Sequence, residues 1–144
     1  IHGLAGLAVG FGFAHPDQIK KIRELRTGKN NTLGIEAAYA SYQDQEFQDF
    51  SRRKNKESLR IVGEMFDELN VRYIKSNANF TFFETGIPVQ EINTALLEHG
   101  IASGRPFPPF TKWSRVSMDK PEHMRYYVQT FKKLFGNRIM DSTS

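Results

Sequence analysis

The sequence predicts an α/β chain: part of a large α/β layer, followed by a small α+β unit with helices on one sheet face. Three observations predict it. The opening stretch sets bulky Leu7, Val9, Phe11 and Phe13 against small Ala8, Gly10, Gly12 and Ala14, the two-residue period of a strand. From Ile35 to about Asn70 the apolar residues keep helical spacing. Residues 71–135 then read strand, strand, helix, strand, strand, helix. A lone strand cannot satisfy its own backbone groups, so the first half is expected to belong to a larger sheet. Residues 1–70 read as the C-terminal part of that larger domain, ending in a long linking helix, and residues 71–144 as the small domain.

The elements follow in order. Pro16, after His15, suits the first position of a helix, and Ile19, Ile22 and Leu25 mark one face of it. "TGKNNTLG" (Thr27 to Gly34) is turn-rich and reads as a loop. The long helical stretch breaks near Asp44, and its last part carries Leu59, Val62, Phe66 and Leu69 on one stripe. "VRYI" (Val71 to Ile74) and "NFTFFET" (Asn79 to Thr85) read as strands, and Val89, Ile92 and Leu96 mark a short helix that Gly100 stops. Ile101 to Arg105 reads as extended, "RPFPPF" (Arg105 to Phe110) as a rigid loop, and "WSRVSM" (Trp113 to Met118) as a strand. Asp119 and Glu122 have the spacing of a capping box, with Pro121 in the first turn of a closing helix. That helix has Met124, Tyr127, Val128, Phe131, Leu134 and Phe135 on its buried side, and its tail "NRIMDSTS" is expected to fray.

Composition narrows the class of protein. The 144 residues are 39% hydrophobic and include 12 Phe, enough apolar bulk for a core. The absence of Cys excludes disulfides and thiolate metal sites. No apolar run has the length of a membrane span. The net charge of +4 fits an enzyme for anionic substrates as well as a nucleic-acid binder. The densest basic run, "SRRKNK" (Ser51 to Lys56), lies in a helix beside Asp49 and Glu57 without a stacking surface, and reads as a solvated face. The chain opens at Ile1 inside a patterned stretch, so a preceding segment is expected.

Three stretches hold residues suited to chemistry. Small residues at alternate positions allow a close approach to the backbone, by another chain element or by a flat ligand. Gly10-Phe11-Gly12 is followed by His15 where a dinucleotide fingerprint needs a third glycine. On the "WSRVSM" strand, Val116 and Met118 share the core face, and Trp113, Arg115 and Ser117 share the other. Arg115 there is either a bidentate carboxylate receptor or a structural ion-pair residue. Arg105, beside the proline-framed loop, is either an anion contact or a surface arginine. The four histidines lack metal-ligand spacing, and no serine sits in a nucleophile elbow.

The order of these stretches resembles a known family. "IHGLAGLAVGFGFAHPDQIKKI" is similar to the segment after the cofactor lysine in fold-type I pyridoxal-phosphate aminotransferases, and most similar to the histidinol-phosphate aminotransferase-like branch of class I/II. Gly3 to Leu7 and Val9 to Phe11 match its motif; "NFTFFET", "LLEHGI" and "WSRVSM" match its C-terminal small domain. The resemblance implies a remnant of the large pyridoxal-phosphate-dependent transferase domain plus the small domain. It also implies the cofactor-bearing lysine just before Ile1, so this chain holds no catalytic residue and is expected to be inactive alone. The cofactor implied is pyridoxal 5'-phosphate, approached by Gly6 and by position 8, where the family's phosphate-binding arginine is Ala8 here. Arg115 matches the arginine for the substrate's α-carboxylate, and Arg105 falls near the arginine for a distal phosphate. The implied activity is amino transfer between an amino acid (or amino-phosphate) and a 2-oxo acid, in a cytoplasmic homodimer without nucleic-acid or membrane partners. Alternatives on the same fold are decarboxylation, elimination or acyl condensation, or a non-catalytic descendant.

Overall fold

The computed structural model describes residues 2–28 and 31–142. They form two compact units, residues 1–51 and 52–144. The elements are a 3₁₀ turn (Leu4–Leu7), helices α1 (Pro16–Glu24), α2 (Thr32–Gln43) and α3 (Gln45–Glu68), strand β1 (Phe80–Glu84), α4 (Val89–Leu97), β2 (Trp113–Ser117) and α5 (Pro121–Ser142).

In the first unit, helix punctuation follows the sequence. Pro16 opens α1, and the His15 ring accepts the Asp17 N–H at 3.4 Å. Asn31 caps α2 by accepting the Gly34 N–H at 3.2 Å, while its Nδ2 donates to the Leu7 carbonyl at 2.9 Å. One side chain thus fastens the 3₁₀ turn to α2. The break near Asp44 is present: Asp44 ends α2, and its carboxylate accepts the Phe47 N–H at 2.9 Å to begin α3. The opening strand is absent. Residues 8–15 have no regular structure after a turn whose flanking residues, Gly3 and Ala8, have φ of 64° and 51°. A strand needs a neighbour to complete its ladder, and among the described residues this unit has no strand. The apolar face of α1 is likewise uncovered, with Ile22 and Leu25 exposed.

In the second unit, α3, α4 and α5 pack on one face of a two-stranded antiparallel sheet. Phe82 stands opposite Arg115 and Thr81 opposite Val116. The core face carries buried Thr81, Phe83 and Ser114, with Val116 and Met118 packed against the core. Phe66 of α3, Phe83 of β1 and Phe131 of α5 are fully buried, with ring centroids 4.5 Å apart for the first pair and 5.8 Å for the second. Ile61, Val62, Met65 and Leu69 join them. The compact unit begins at Arg52 because the C-terminal half of α3 is part of its core. From α5, Met124, Tyr127, Phe131 and Phe135 are buried as the helical period requires. Burial raises the Tyr127 phenol well above its ordinary pKa.

Two helices end in the same way. Val71 N–H donates to Phe66 O at 2.8 Å and Asn70 N–H to Asp67 O, with Asn70 at φ 52°. Ile101 N–H donates to Leu96 O and Gly100 N–H to Leu97 O, with Gly100 at φ 73°. Both are Schellman stops, which need a left-handed residue after the last turn.

Three expectations change here. Val71–Ile74 makes only a bridge between Tyr73 and Phe83, with two hydrogen bonds to the β1 backbone. Ile101–Arg105 forms no strand; the Gly104 carbonyl accepts the Asn93 amide at 2.9 Å instead of a ladder donor. Asp119 makes no capping box with Glu122. Its carboxylate accepts the Lys120 N–H and lies 2.8 Å from His123 Nδ1, and its own N–H points to Met124 Sδ. The tail through Ser142 is helical; Thr143 and Ser144, like Ile1, Lys29 and Asn30, lie outside the described residues.

Candidate functional site

The outer face of the sheet is where the second unit gathers its unusual residues. Alternation along the two strands turns Phe80, Phe82, Trp113 and Arg115 away from the core. The Pro-framed loop folds over this face: Phe107 meets Phe82 edge-on at 5.7 Å, and Phe110 meets it at 6.0 Å. Trp113 lies 5.1 Å from Phe82. The result is an aromatic platform of five rings carrying arginines on its rim.

Arg115 lies within this platform. Its Cζ is 5.5 Å from the Phe80 ring centroid and 5.4 Å from that of Phe107. Its Nε is buried without a hydrogen-bond partner, and among the described residues no carboxylate pairs with it. A buried donor left unmade costs on the order of 1–3 kcal/mol, and a guanidinium without a carboxylate partner has N–H donors of the kind that pair with a planar acid group. Of the two readings of Arg115, the structural ion pair has no partner to support it. Arg105 is exposed, with its Cζ 5.0 Å from the same Phe107 ring. The structure thus brings the two expected substrate residues, Arg105 and Arg115, to one aromatic side chain. Arg72, which sequence reasoning did not single out, lies over Trp113 at 5.0 Å but is paired with Glu84 at 2.8 Å.

In the first unit, Ala8 lines a groove of about 880 Å³ with Gly10, Phe11, Gly12, Arg23, Tyr39 and Tyr42 among its walls. A Cβ added at Gly6, Gly10 or Gly12 would meet nothing within 4 Å. Among the described residues nothing fills the space beside these three glycines, so close packing does not explain them. The glycine that close packing does require is Gly34, where a Cβ would fall 2.4 Å from Val9 Cγ2 and 3.0 Å from Leu7 O. Among the described residues no group of His, Asp and Glu is placed to hold a metal ion, and no helix is long and apolar enough to cross a membrane.

Most of the chain is similar to known proteins. The family model for "Aminotransferase class I and II" matches residues 1–131. The chain belongs to that family. A histidinol-phosphate aminotransferase of Symbiobacterium thermophilum is 30% identical over 139 residues, covering 94% of this chain and 38% of its own. A solved structure assigned as a histidinol-phosphate aminotransferase, from Erwinia carotovora atroseptica, superposes with a TM-score of 0.84 at 31% identity, over 94% of this chain and 39% of that one. The histidinol-phosphate aminotransferase of Sinorhizobium meliloti, solved in complex with pyridoxal-5'-phosphate, shares the fold at a TM-score of 0.72 and 20% identity, over 99% and 39% of the two chains. This class I and II aminotransferase chain therefore spans about two-fifths of the length of these relatives.

Proposed function

We propose that this chain is the C-terminal portion of a pyridoxal 5'-phosphate-dependent aminotransferase that moves an amino group between an amino acid (or amino-phosphate) and a 2-oxo acid. In this reading residues 1–70 complete the large cofactor domain and residues 71–144 are the small domain. The observation that carries it is Arg115: a guanidinium between two rings, its Nε buried and unpaired, in a chain of this family.

The groove beside Ala8 fits part of the cofactor's surroundings. Its glycines leave the backbone open, Tyr39 and Tyr42 give it aromatic walls, and Arg23 and Arg26 line it as cations, whereas Ala8 contributes room and no charge. When bound, pyridoxal phosphate acts as the electron sink for the bond broken at the substrate's Cα. In this reading the residues named here bind and orient the substrate. Arg115 grips the substrate's carboxylate by two parallel N–H donors and so fixes the orientation of Cα. Phe80, against the guanidinium, shields that pairing from water, which strengthens it. The reading carries with it a cytoplasmic homodimer and small-molecule substrates, supported by the family alone.

The test is amino transfer by the full-length protein with Arg115→Lys and Arg115→Gln. Replacing the fork with a point charge is expected to raise the KM for amino acid and 2-oxo acid on the order of tenfold, and removing the charge a hundredfold, as a charged hydrogen bond of about 1.5–3 kcal/mol implies. Unaltered KM in both variants rules the assignment out.

A further inference from the structure

Two cations converge on one ring here, and among the described residues neither has a counter-ion. The Cζ atoms of Arg105 and Arg115 lie 5.0 and 5.4 Å from the centroid of Phe107. They are therefore within about 10 Å of each other. Like charges at that spacing repel, and among the described residues neither has a carboxylate to offset it. What holds them is the negative face of the ring's quadrupole.

We propose that Phe107 is a positioning residue that joins Arg105 and Arg115 into one receptor for a substrate bearing two acid groups. This rests on the reading of Arg115 given above and extends it to a residue that needs no contact with the substrate. The ring is itself well fixed. Prolines flank it on both sides, limiting its backbone. The Phe110 N–H donates to the Phe107 carbonyl at 2.8 Å and closes the loop. Phe82, which stands opposite Arg115 across the sheet, meets the ring edge-on. Strand register therefore sets where Phe107 lies, and Phe107 sets where the exposed Arg105 lies. A first acid group pairs with the Arg115 guanidinium, which has no carboxylate partner among the described residues; a second, further along the same molecule, relieves the repulsion by pairing with Arg105. Phe107 thereby acts on selectivity for doubly acidic substrates.

The experiment uses the full-length holoenzyme with Phe107→Leu, Phe107→Tyr and Arg115→Gln, and measures inhibition by propionate and by glutarate. Phe107→Leu is expected to weaken glutarate about tenfold and propionate less than threefold, with the KM for a doubly acidic substrate rising while kcat falls less than threefold. Phe107→Tyr, which keeps the π face, restores glutarate binding. Equal weakening of both acids by Phe107→Leu, no weakening of either, or failure of the tyrosine to rescue overturns the proposal. If Arg115→Gln leaves propionate inhibition intact, the reading of Arg115 fails instead, and that result is distinguishable because it does not involve Phe107.

Discussion

Ser58, fully buried in the middle of α3, donates its hydroxyl to the Asp119 carbonyl at 2.7 Å. The contact joins residues 61 positions apart and fixes α3 to the turn between β2 and α5. Ser58→Ala removes the donor and leaves that carbonyl short of a partner. A loss of about 1–2 kcal/mol is expected, read as a lower denaturation midpoint with substrate KM little changed, because Ser58 is on the core side of the sheet from Arg115.

Gly34 gives a prediction in the first unit. An alanine there puts Cβ 2.4 Å from Val9 Cγ2, and the gain in helix propensity does not offset that overlap. Gly34→Ala is expected to destabilise by roughly 1–2 kcal/mol, as overpacking does. The double variant with Val9→Ala should recover part of it; a double variant no better than the single would show that the contact with Leu7 O dominates.

Asn70 has the opposite sign. It occupies the left-handed position of a Schellman stop, where glycine carries no Cβ penalty. Asn70→Gly should raise stability or leave it level, and Asn70→Ala should lower it by up to about 1 kcal/mol. Thermal melts of the two variants decide it.

Asp119 makes stability depend on acid. Its hydrogen bonds to His123 and to the Lys120 N–H hold its carboxyl below the usual carboxylate range. A depressed folded-state pKa contributes stability above the unfolded value, near pH 4, which is lost as pH falls through the folded value. Both side chains are more than half exposed, so the effect is expected to stay under about 1 kcal/mol. Wild type should exceed Asp119→Ala at pH 7, with the gap closing below about pH 4.

The core predicts the largest effect. Phe131→Ala empties the space between Phe83, Tyr127 and Phe135 and should cost about 3–5 kcal/mol. Circular dichroism during urea titration measures it.

Much of the second unit was legible because its signals are local. The spacing of Val62, Phe66 and Leu69 places α3, Gly100 ends α4, and the alternation from Trp113 to Met118 turns Arg115 outward whatever surrounds it. The opening strand misled because alternation reports a side-chain period and says nothing of the neighbour a strand must bond to. Ile101–Arg105 misled for a related reason: a side chain 11 residues upstream, Asn93, takes the carbonyl its ladder would need. Phe107 was invisible as a functional residue because its value comes from strand register and loop closure together, and neither is written in "RPFPPF" itself. Arg72 is missed on the same ground, since Trp113 comes under it only once β2 pairs with β1.

The aromatic platform has a consequence for behaviour in concentrated salt. Mobile ions screen an exposed pair such as Arg72 with Glu84 and loosen its hold. Among the described residues Arg105 and Arg115 have no such pair to lose, since a ring's quadrupole at close range is what seats them. Chloride would therefore compete with the incoming acid for these guanidiniums without unseating them, and brine would weaken capture of the ligand while the receptor stayed in place.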